Sequence, residues 1–236
     1  MPKVLQTILF ENYRELCSEH SIESNALLVL KTSYRTPLTK KRWGALQDIL
    51  SSSLKSDVNR IKIWEDRHNS LFGKLLVFVG YYIFMRKDLS FNRYKQDKNG
   101  KPYLNDSSVN FNISHSGKTV VCAMFPANIK IGADIEVMKK ININDLKDFF
   151  HPNENSIIYK NNSIEEFYKY WTRKEALVKA IGKGLLLPIQ NLDTTQKIIN
   201  QYNENYFLKS YKFNDHFCSL SYNTYLNKID WIEVKF

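Results

Sequence analysis

The stretch Ile129-Lys130-Ile131-Gly132-Ala133-Asp134-Ile135-Glu136-Val137 alternates isoleucine, alanine and valine with polar, charged or small residues. Successive side chains of a β-strand point to opposite faces, so this pattern predicts a strand with one wholly apolar face. Asp134 and Glu136 fall together on the other face, with Cα atoms about 7 Å apart. The apolar face anchors the strand, and both carboxylates are held on the same side of it.

Two carboxylates on one face have two explanations. In the first, they converge on a cation, which offsets the free-energy cost of holding two like charges together. Alternatively, they form the solvated face of an ordinary strand. An acidic pair at this spacing is a weak signal by itself, so the surrounding sequence has to decide between the two.

A long amphipathic helix is predicted downstream. Ser163 and Glu166 form a capping box at its start, and Gly182 and Gly184 supply the expected stop signal. Its apolar stripe comprises Ile164, Phe167, Tyr168, Trp171 and Val178. Trp171 is interpreted as a core aromatic.

Glu175 falls within that apolar stripe. Burying a carboxylate is expensive unless it is paired or binds a metal. Lys179, one helical turn further on, is a possible ion-pair partner. The alternative is a third metal ligand beside a phosphate-binding lysine, and hard oxygen ligands without a Cys/His cluster favour Mg²⁺ over zinc.

Upstream, residues 109–114 alternate as a strand with one wet face, and Thr119–Phe125 form a second apolar strand, so a hairpin is expected. The predicted turn between them, residues 115–118, carries His115. Its hydroxyls, imidazole, backbone N–H groups and lysine make either an anion cradle or a plain polar turn. Lys101 is by default a surface lysine, and Glu154 a glutamate at the start of a helix.

The remaining pattern predicts a buried strand at 25–30, helices at 41–55 and 63–85, strands at 205–213 and 216–222, and an edge strand at 229–236. A boundary is placed in the Pro-Ala-Asn stretch at 126–128. It divides the chain into units 1–127 and 128–236, each with strands and one long amphipathic helix.

The composition is that of a soluble globular protein. Among 236 residues, 43% are apolar, which excludes a disordered chain. Three dispersed cysteines exclude a disulfide framework and favour a reducing compartment. The absence of a signal-peptide pattern and of a bilayer-length apolar run predicts a cytoplasmic location. The net charge of +10 favours an acidic partner: nucleic acid, a membrane surface, a phosphorylated ligand or an acidic protein.

Four motifs occur in one order along the chain: Gly-Lys-Pro at 100–102, Phe-Asn-Ile-Ser-His-Ser-Gly at 111–117, Ile-Gly-Ala-Asp-Ile-Glu at 131–136, and Trp-Thr-Arg-Lys-Glu-Ala-Leu-Val-Lys-Ala-Ile-Gly-Lys-Gly-Leu at 171–185. Together they resemble the 4′-phosphopantetheinyl transferases of the long, surfactin-synthetase-activating type. The resemblance covers about residues 64–188, and the agreement of four motifs in order and spacing makes it highly specific.

The resemblance implies an α+β fold of two similar, pseudo-dimeric halves with the active site in the cleft between them. It implies transfer of the 4′-phosphopantetheine arm of coenzyme A to a serine of an acidic acyl or peptidyl carrier protein, with Mg²⁺ as cofactor and adenosine 3′,5′-bisphosphate as the other product. We expect a monomer whose partners include neither nucleic acid nor a membrane.

The matching positions imply specific roles. The metal ligands would be Asp134, Glu136 and Glu175. Lys179 would contact phosphate during catalysis, and Glu154 would be the general base. The residues expected to hold coenzyme A are Lys101, Ser114, His115, Lys179, Ser70 and Arg60; Arg60 and Lys55 lie slightly out of register with the family's basic residues for the 3′-phosphate.

An alternative from another class is a basic nucleic-acid-binding protein without catalysis. It accounts for the charge but not for Glu175 in an apolar stripe. The lysines are also dispersed, whereas nucleic-acid-binding proteins concentrate them in a basic helix or an aromatic-interleaved stripe.

Overall fold

The chain folds into two packed β-sheets, each carrying a long helix. The computed structural model describes residues 4–18, 25–98, 100–126, 129–160, 162–184 and 187–236. Its strands are β1 (Val4–Leu9), β2 (Ala26–Ser33), β3 (Tyr94–Gln96), β4 (Pro102–Leu104), β5 (Val109–Ser116), β6 (Thr119–Pro126), β7 (Ile131–Val137), β8 (Ile198–Gln201), β9 (Glu204–Lys212), β10 (His216–Tyr222) and β11 (Lys228–Lys235). Its α-helices are α1 (Tyr13–Ser18), α2 (Lys40–Gln47), α3 (Ser52–Asn59), α4 (Trp64–Met85), α5 (Pro152–Lys160) and α6 (Ile164–Ile181).

The strands form a five-stranded sheet in the order β1-β11-β2-β6-β5 and a four-stranded sheet in the order β7-β10-β9-β8. The short strands β3 and β4 pair with each other. The α+β class predicted from the sequence is confirmed. The layers are α4, the five-stranded sheet, the four-stranded sheet and α6, in that order.

The strand β2 shows why part of the sequence is continuously apolar. Leu28 and Leu30 pack in the cluster that includes α4, whereas Leu27 and Val29 pack in the cluster shared with the second sheet. Both faces of this strand are therefore buried, and the run predicted as a buried strand is confirmed. The hairpin of β5 and β6 is also confirmed, although His115 lies on β5, ahead of the turn at 117–118.

The alternation at β7 places its two faces as predicted. Ile131, Ala133 and Ile135 lie in the cluster between the sheets. The opposite face meets α6 so closely that a Cβ on Gly132 would lie 1.9 Å from the carbonyl oxygen of Ala176. Only glycine fits there. The motif glycine thus permits the close contact that brings the carboxylates of β7 against α6.

The predicted N-cap of α6 is confirmed, but the full capping box does not form, because the Ser163 N–H donates to the carbonyl oxygen of Ile158 and Glu166 Oε2 accepts from Lys169. Ser163 Oγ accepts a hydrogen bond from the backbone N–H of Glu166 at 3.2 Å. At the other end, Gly182 adopts a left-handed conformation with φ of 78°. The single helix predicted over 41–55 is wrong, however: Ser51 caps a new helix, so α2 and α3 are separate.

The C-terminal strand was expected at a sheet edge, and that expectation is wrong. β11 lies inside the five-stranded sheet and pairs in parallel with both β1 and β2. The predicted boundary at 127/128 falls on residues outside the described ones. Because β11 comes from the second predicted unit, the first sheet draws strands from both.

The two sheets meet along a seam between β5 and β7. Three polar side chains of β5 accept hydrogen bonds from backbone N–H groups of β7: Asn112 from Ala133, Ser114 from Ile135, and Ser116 from Val137. The predicted wet face of β5 is therefore buried at these positions. Its polar side chains take the place of a strand partner for β7, which satisfies backbone donors that would otherwise be costly to bury.

Candidate active site

A cavity of about 420 Å³ opens at this seam. Three elements line it: β5, β7 and α6. The lining side chains are Ile113, Ser114, His115, Asp134, Glu136, Trp171, Glu175 and Lys179. Six of these are residues that the sequence predicted for the site, so tertiary packing brings together groups from three separate motifs.

Asp134 is the most enclosed carboxylate of the cavity. Its Oδ1 atom accepts hydrogen bonds from Lys179 Nζ at 2.6 Å and from Ser114 Oγ at 3.0 Å. Its Oδ2 atom is buried and has no hydrogen-bond partner among the described residues. Burial raises the pKa of Asp134 above its usual range, while the nearby Lys179 ammonium acts in the opposite direction. An unpartnered buried oxygen of this kind calls for a cation or a water molecule.

Glu136 and Glu175 complete the acidic side of the cavity. Ser116 Oγ donates a hydrogen bond of 2.7 Å to Glu136 Oε2. Burial raises the pKa of both glutamates, and the neighbouring Asp134 carboxylate raises them further. Glu175 is half-buried and faces the cavity, whereas the sequence placed it in the core-facing stripe. Three carboxylates thus line one cavity, and the charge of Asp134 disfavours ionisation of both glutamates.

The donor set matches what Mg²⁺ prefers, because all three side chains offer hard oxygen atoms. Within the described ranges, however, no three His, Cys, Asp or Glu side chains stand close enough together to hold a metal ion. Lys179 already donates a hydrogen bond to Asp134 Oδ1, so Oδ2 is the oxygen of this carboxylate that remains available to bind a cation. The metal site therefore stays a prediction. Carboxylates of the right chemistry line the cavity from β7 and α6.

Lys179 does not form the helical pair with Glu175 that one interpretation of the sequence expected. Its ammonium crosses from α6 to the seam, where it bonds to Asp134, to Ser114 Oγ and to the carbonyl oxygen of Ala133. Lys101 Nζ in turn donates to the carbonyl oxygen of Lys179 at 3.3 Å. Burial lowers the pKa of Lys101. Lys179 therefore lies beside the carboxylates, whereas Lys101, which was also predicted for the site, contacts the backbone of α6 and does not line the cavity.

Other predicted site residues lie elsewhere. Arg60 pairs with Asp57 on the surface, and Lys55 pairs with Asp48. Ser70 accepts a hydrogen bond from Lys74 Nζ at 2.9 Å. None of Ser70, Lys55 and Arg60 lines the cavity described above.

Glu154 is fully buried, with 0% of its surface exposed. One oxygen accepts hydrogen bonds from the backbone N–H and hydroxyl of Thr194, and the other from the N–H of His151. Lys174 Nζ lies 2.8 Å from Glu154 Oε2 and also bonds to two backbone carbonyl oxygens. Glu154 is enclosed by its own partners and does not line the cavity, so this placement does not support the general-base role.

Sequence reasoning missed several contributors. Trp171 was assigned to the core but lines the cavity, while still stacking on Phe167 with ring centroids 6.1 Å apart. Lys174, the buried partner of Glu154, was also not predicted. A charged residue next to Glu175, in a helix with a wide buried face, is a sequence signal that could have indicated a buried ion pair. Asn112 and Ser116 were visible only as the polar half of an alternating strand.

Comparisons with known proteins identify the family of this chain. Residues 130–228 match the family model of the 4′-phosphopantetheinyl transferase superfamily, and residues 36–127 match the model of the 4′-phosphopantetheinyl transferase N-terminal domain. In the described part of the chain, no helix has the length and apolar character needed to cross a bilayer.

Several curated relatives are similar over more than half of the chain. The chain is 34% identical over 149 residues to 4′-phosphopantetheinyl transferase gsp of Aneurinibacillus migulanus, covering 59% of this chain and 61% of that protein. It is 33% identical over 159 residues to 4′-phosphopantetheinyl transferase Sfp of Bacillus subtilis, covering 66% and 70%. It is 31% identical over 169 residues to 4′-phosphopantetheinyl transferase HetI of a Nostoc species, covering 64% and 68%.

The comparisons give no support to the nucleic-acid-binding alternative. The two family models together match residues 36–127 and 130–228, and these ranges include every residue that lines the cavity. Three carboxylates, Lys179 and His115 line one cavity at the seam, and the chain belongs to the 4′-phosphopantetheinyl transferase family and is a transferase of the Sfp type.

Proposed function

We propose that this chain transfers the 4′-phosphopantetheine arm of coenzyme A to a serine of an acyl or peptidyl carrier protein. The serine oxygen forms a bond to the β-phosphorus, and the bond from that phosphorus to the oxygen bridging the two phosphates breaks. Adenosine 3′,5′-bisphosphate leaves, and the serine proton is released. The observation that carries the proposal is the meeting of Asp134, Glu136, Glu175 and Lys179 around one cavity.

Mg²⁺ would be held by Asp134, Glu136 and Glu175, with Asp134 Oδ2 as the oxygen that has no partner among the described residues. When bound, the ion would neutralise charge that develops on the pyrophosphate oxygens. Lys179, half-buried and anchored on Asp134, supplies positive charge on the same side of the cavity. Positioning and electrostatic stabilisation provide most of the catalysis in phosphoryl transfer.

His115 and Lys101 are proposed to hold the phosphate groups of coenzyme A. His115 lines the cavity from β5. Lys101 is not one of the lining residues, but its ammonium donates to the carbonyl oxygen of Lys179, whose own side chain lines the cavity. Ser114 bonds to both Asp134 and Lys179 and so fixes the two charged groups relative to one another. Glu154 has no role in this scheme, because its carboxylate is enclosed by its own partners.

The partner is proposed to be an acidic carrier protein, because a net charge of +10 favours association with an acidic surface. We also propose that the protein acts as a monomer in the cytoplasm. The buried thiols of Cys122 and Cys218 are free, as a reducing compartment favours.

Intact-mass spectrometry of a panel of carrier proteins tests the proposal. After incubation with coenzyme A and MgCl₂, a true substrate gains the mass of one phosphopantetheine arm, and the same carrier with its serine changed to alanine gains none. If no carrier in an acyl and peptidyl panel gains that mass while coenzyme A still binds, the transferase proposal fails for these substrates and a binding-only role takes its place.

A further inference from the structure

Asn69 is a buried polar residue of α4 that the scheme above does not use. Only 2% of its surface is exposed. Its side-chain amide joins three elements: it contacts Tyr34 after β2, the carbonyl oxygen of Gly117 in the hairpin turn, and His115 at the end of β5. An amide buried among hydrogen-bonding partners of fixed chemistry constrains the groups around it.

The orientation of this amide follows from its partners. The Gly117 carbonyl oxygen can only accept, so the NH₂ group of Asn69 must face it, at 3.0 Å. Asn69 Oδ1 then faces the Tyr34 hydroxyl, at 2.9 Å. That hydroxyl is also 2.9 Å from the carbonyl oxygen of Glu65, which holds the ring in place. The amide cannot be turned round without setting its oxygen against the Gly117 carbonyl.

The second N–H of the Asn69 amide points to His115 Nδ1, 3.4 Å away. A donor facing Nδ1 requires this nitrogen to accept, so the proton of the neutral imidazole lies on Nε2. The same ring lines the cavity, and Nε2 is the nitrogen that Asn69 does not occupy. The amide therefore determines which hydrogen-bonding group of His115 is offered to a ligand.

We propose that Asn69 is a positioning residue that holds His115 in the Nε2–H tautomer, so that the imidazole presents an N–H donor to an anionic group in the cavity. The identity of that group as a phosphate of coenzyme A rests on the proposed function. The tautomer does not, because it follows from the contacts of Asn69 alone.

Nitrogen-15 NMR of the full chain with labelled histidine tests the tautomer. At pH 8, well above the ordinary imidazole pKa of about 6.5, the rings of His115 and His68 are neutral, because burial lowers the pKa of both. The spectrum of His115, assigned by its loss in His115→Gln, should show a proton on Nε2. His68 is an internal reference of opposite sense, because its Nδ1 lies 2.7 Å from the carbonyl oxygen of Trp64 while its Nε2 accepts from the N–H of Leu38.

Asn69→Asp reverses the chemistry of the contact, because a carboxylate accepts where the amide donated. Nδ1 of His115 should then be protonated. If Nδ1 remains unprotonated in this variant, or carries the proton already in the unsubstituted protein, the proposal is overturned. The second of these measurements needs no variant and decides the matter even if Asn69→Asp fails to fold.

Coenzyme A kinetics test the consequence for binding. Asn69→Ala should raise KM for coenzyme A roughly fivefold with little change in kcat, as expected for one misplaced hydrogen bond. In a His115→Ala background it should add nothing, because both changes remove the same contact. Val77→Ala on the same helix, also fully buried, is the control for lost stability and should leave KM unchanged.

A full additional loss on top of His115→Ala would show that Asn69 acts on something other than His115. If His115→Ala itself leaves coenzyme A binding unchanged while the tautomer is as described, the role of His115 in the proposed function fails and the positioning by Asn69 stands.

Discussion

Lys179 Nζ lies 2.6 Å from Asp134 Oδ1, and this ion pair joins α6 to β7 at the centre of the cavity. The aspartate side chain is 5% exposed, whereas the lysine keeps 30% of its side chain exposed. The lysine thus offsets the charge of an almost enclosed carboxylate while remaining open to the cavity. Its ammonium is placed to stabilise the folded chain and to meet an anionic ligand.

Replacing Lys179 with Met should lower the free energy of unfolding by about 2 kcal/mol in Mg²⁺-free buffer, because the Asp134 carboxylate loses its ion-pair partner. The expected loss is smaller than for a fully buried ion pair, because the lysine is partly exposed. MgCl₂ should raise the Tm of Lys179→Met more than that of the unsubstituted protein. Thermal unfolding with and without MgCl₂ measures this. Lys183→Met, which removes a lysine lying over the Tyr202 ring, is the control. Equal responses of all three proteins to MgCl₂ would contradict the shared site.

The three carboxylates should be interdependent, so that removing any one of them abolishes most of the Mg²⁺-dependent transfer. Each of Asp134→Ala, Glu136→Ala and Glu175→Ala should reduce Mg²⁺-dependent transfer about 100-fold or more, since a metal contributes several kcal/mol of charge stabilisation. Double variants should lose little more than single ones, because one disabled metal site cannot be disabled twice. Transfer rates across a Mg²⁺ titration measure this. Glu165→Ala, which breaks an exposed ion pair with Lys212, is the matched control. Near-normal transfer by Asp134→Ala would remove the basis for the proposed metal site.

Glu154 and Lys174 should behave as a structural pair. Glu154→Ala should destabilise the fold by about 3–5 kcal/mol, because it leaves the Lys174 ammonium buried without its carboxylate. The double variant Glu154→Leu with Lys174→Met should recover much of that loss, since apolar residues of similar volume replace both charges. Denaturant unfolding measures the stability, and transfer by the folded double variant measures function. A stable double variant with no transfer would reinstate a catalytic role for this pair.

His68 should make stability depend on pH. It is neutral in the folded chain, and burial lowers its pKa below the ordinary value of 6.5. The unfolded chain therefore binds a proton more readily, and the free energy of unfolding should fall as pH drops below about 6.5, levelling off once the folded pKa is passed. The difference in stability between the unsubstituted protein and His68→Gln, measured by urea unfolding from pH 8 to pH 5, isolates this contribution. A difference that does not change with pH would show that His68 keeps its ordinary pKa.

Added salt should weaken carrier modification. The net charge of +10 steers an acidic carrier toward the enzyme, and salt screens this attraction beyond about 10 Å at ~0.1 M ionic strength. We expect kcat/KM for an acidic carrier to fall roughly tenfold between ~0.05 M and ~0.5 M NaCl, with little change for a neutral serine peptide. Identical salt responses for carrier and peptide would refute electrostatic steering.

Local sequence determined several secondary-structure features of this protein and the family to which it belongs. The two-residue period from 129 to 137 predicted both faces of β7, and the cap residues Ser163 and Gly182 predicted the ends of α6. These features depend on the backbone geometry of a single segment, which neighbouring residues encode. The four motifs in order likewise identified the family and six of the eight residues that line the cavity.

Tertiary structure alone decided how those segments meet. Lys179 bonds to Asp134, 45 positions away, although Glu175 is one helical turn from it. The polar side of β5 is buried because it supplies hydrogen-bond acceptors to β7, and β11 is internal because β1 covers its outer edge. The partners of strands and charges depend on long-range packing, and residue spacing within one segment does not specify it.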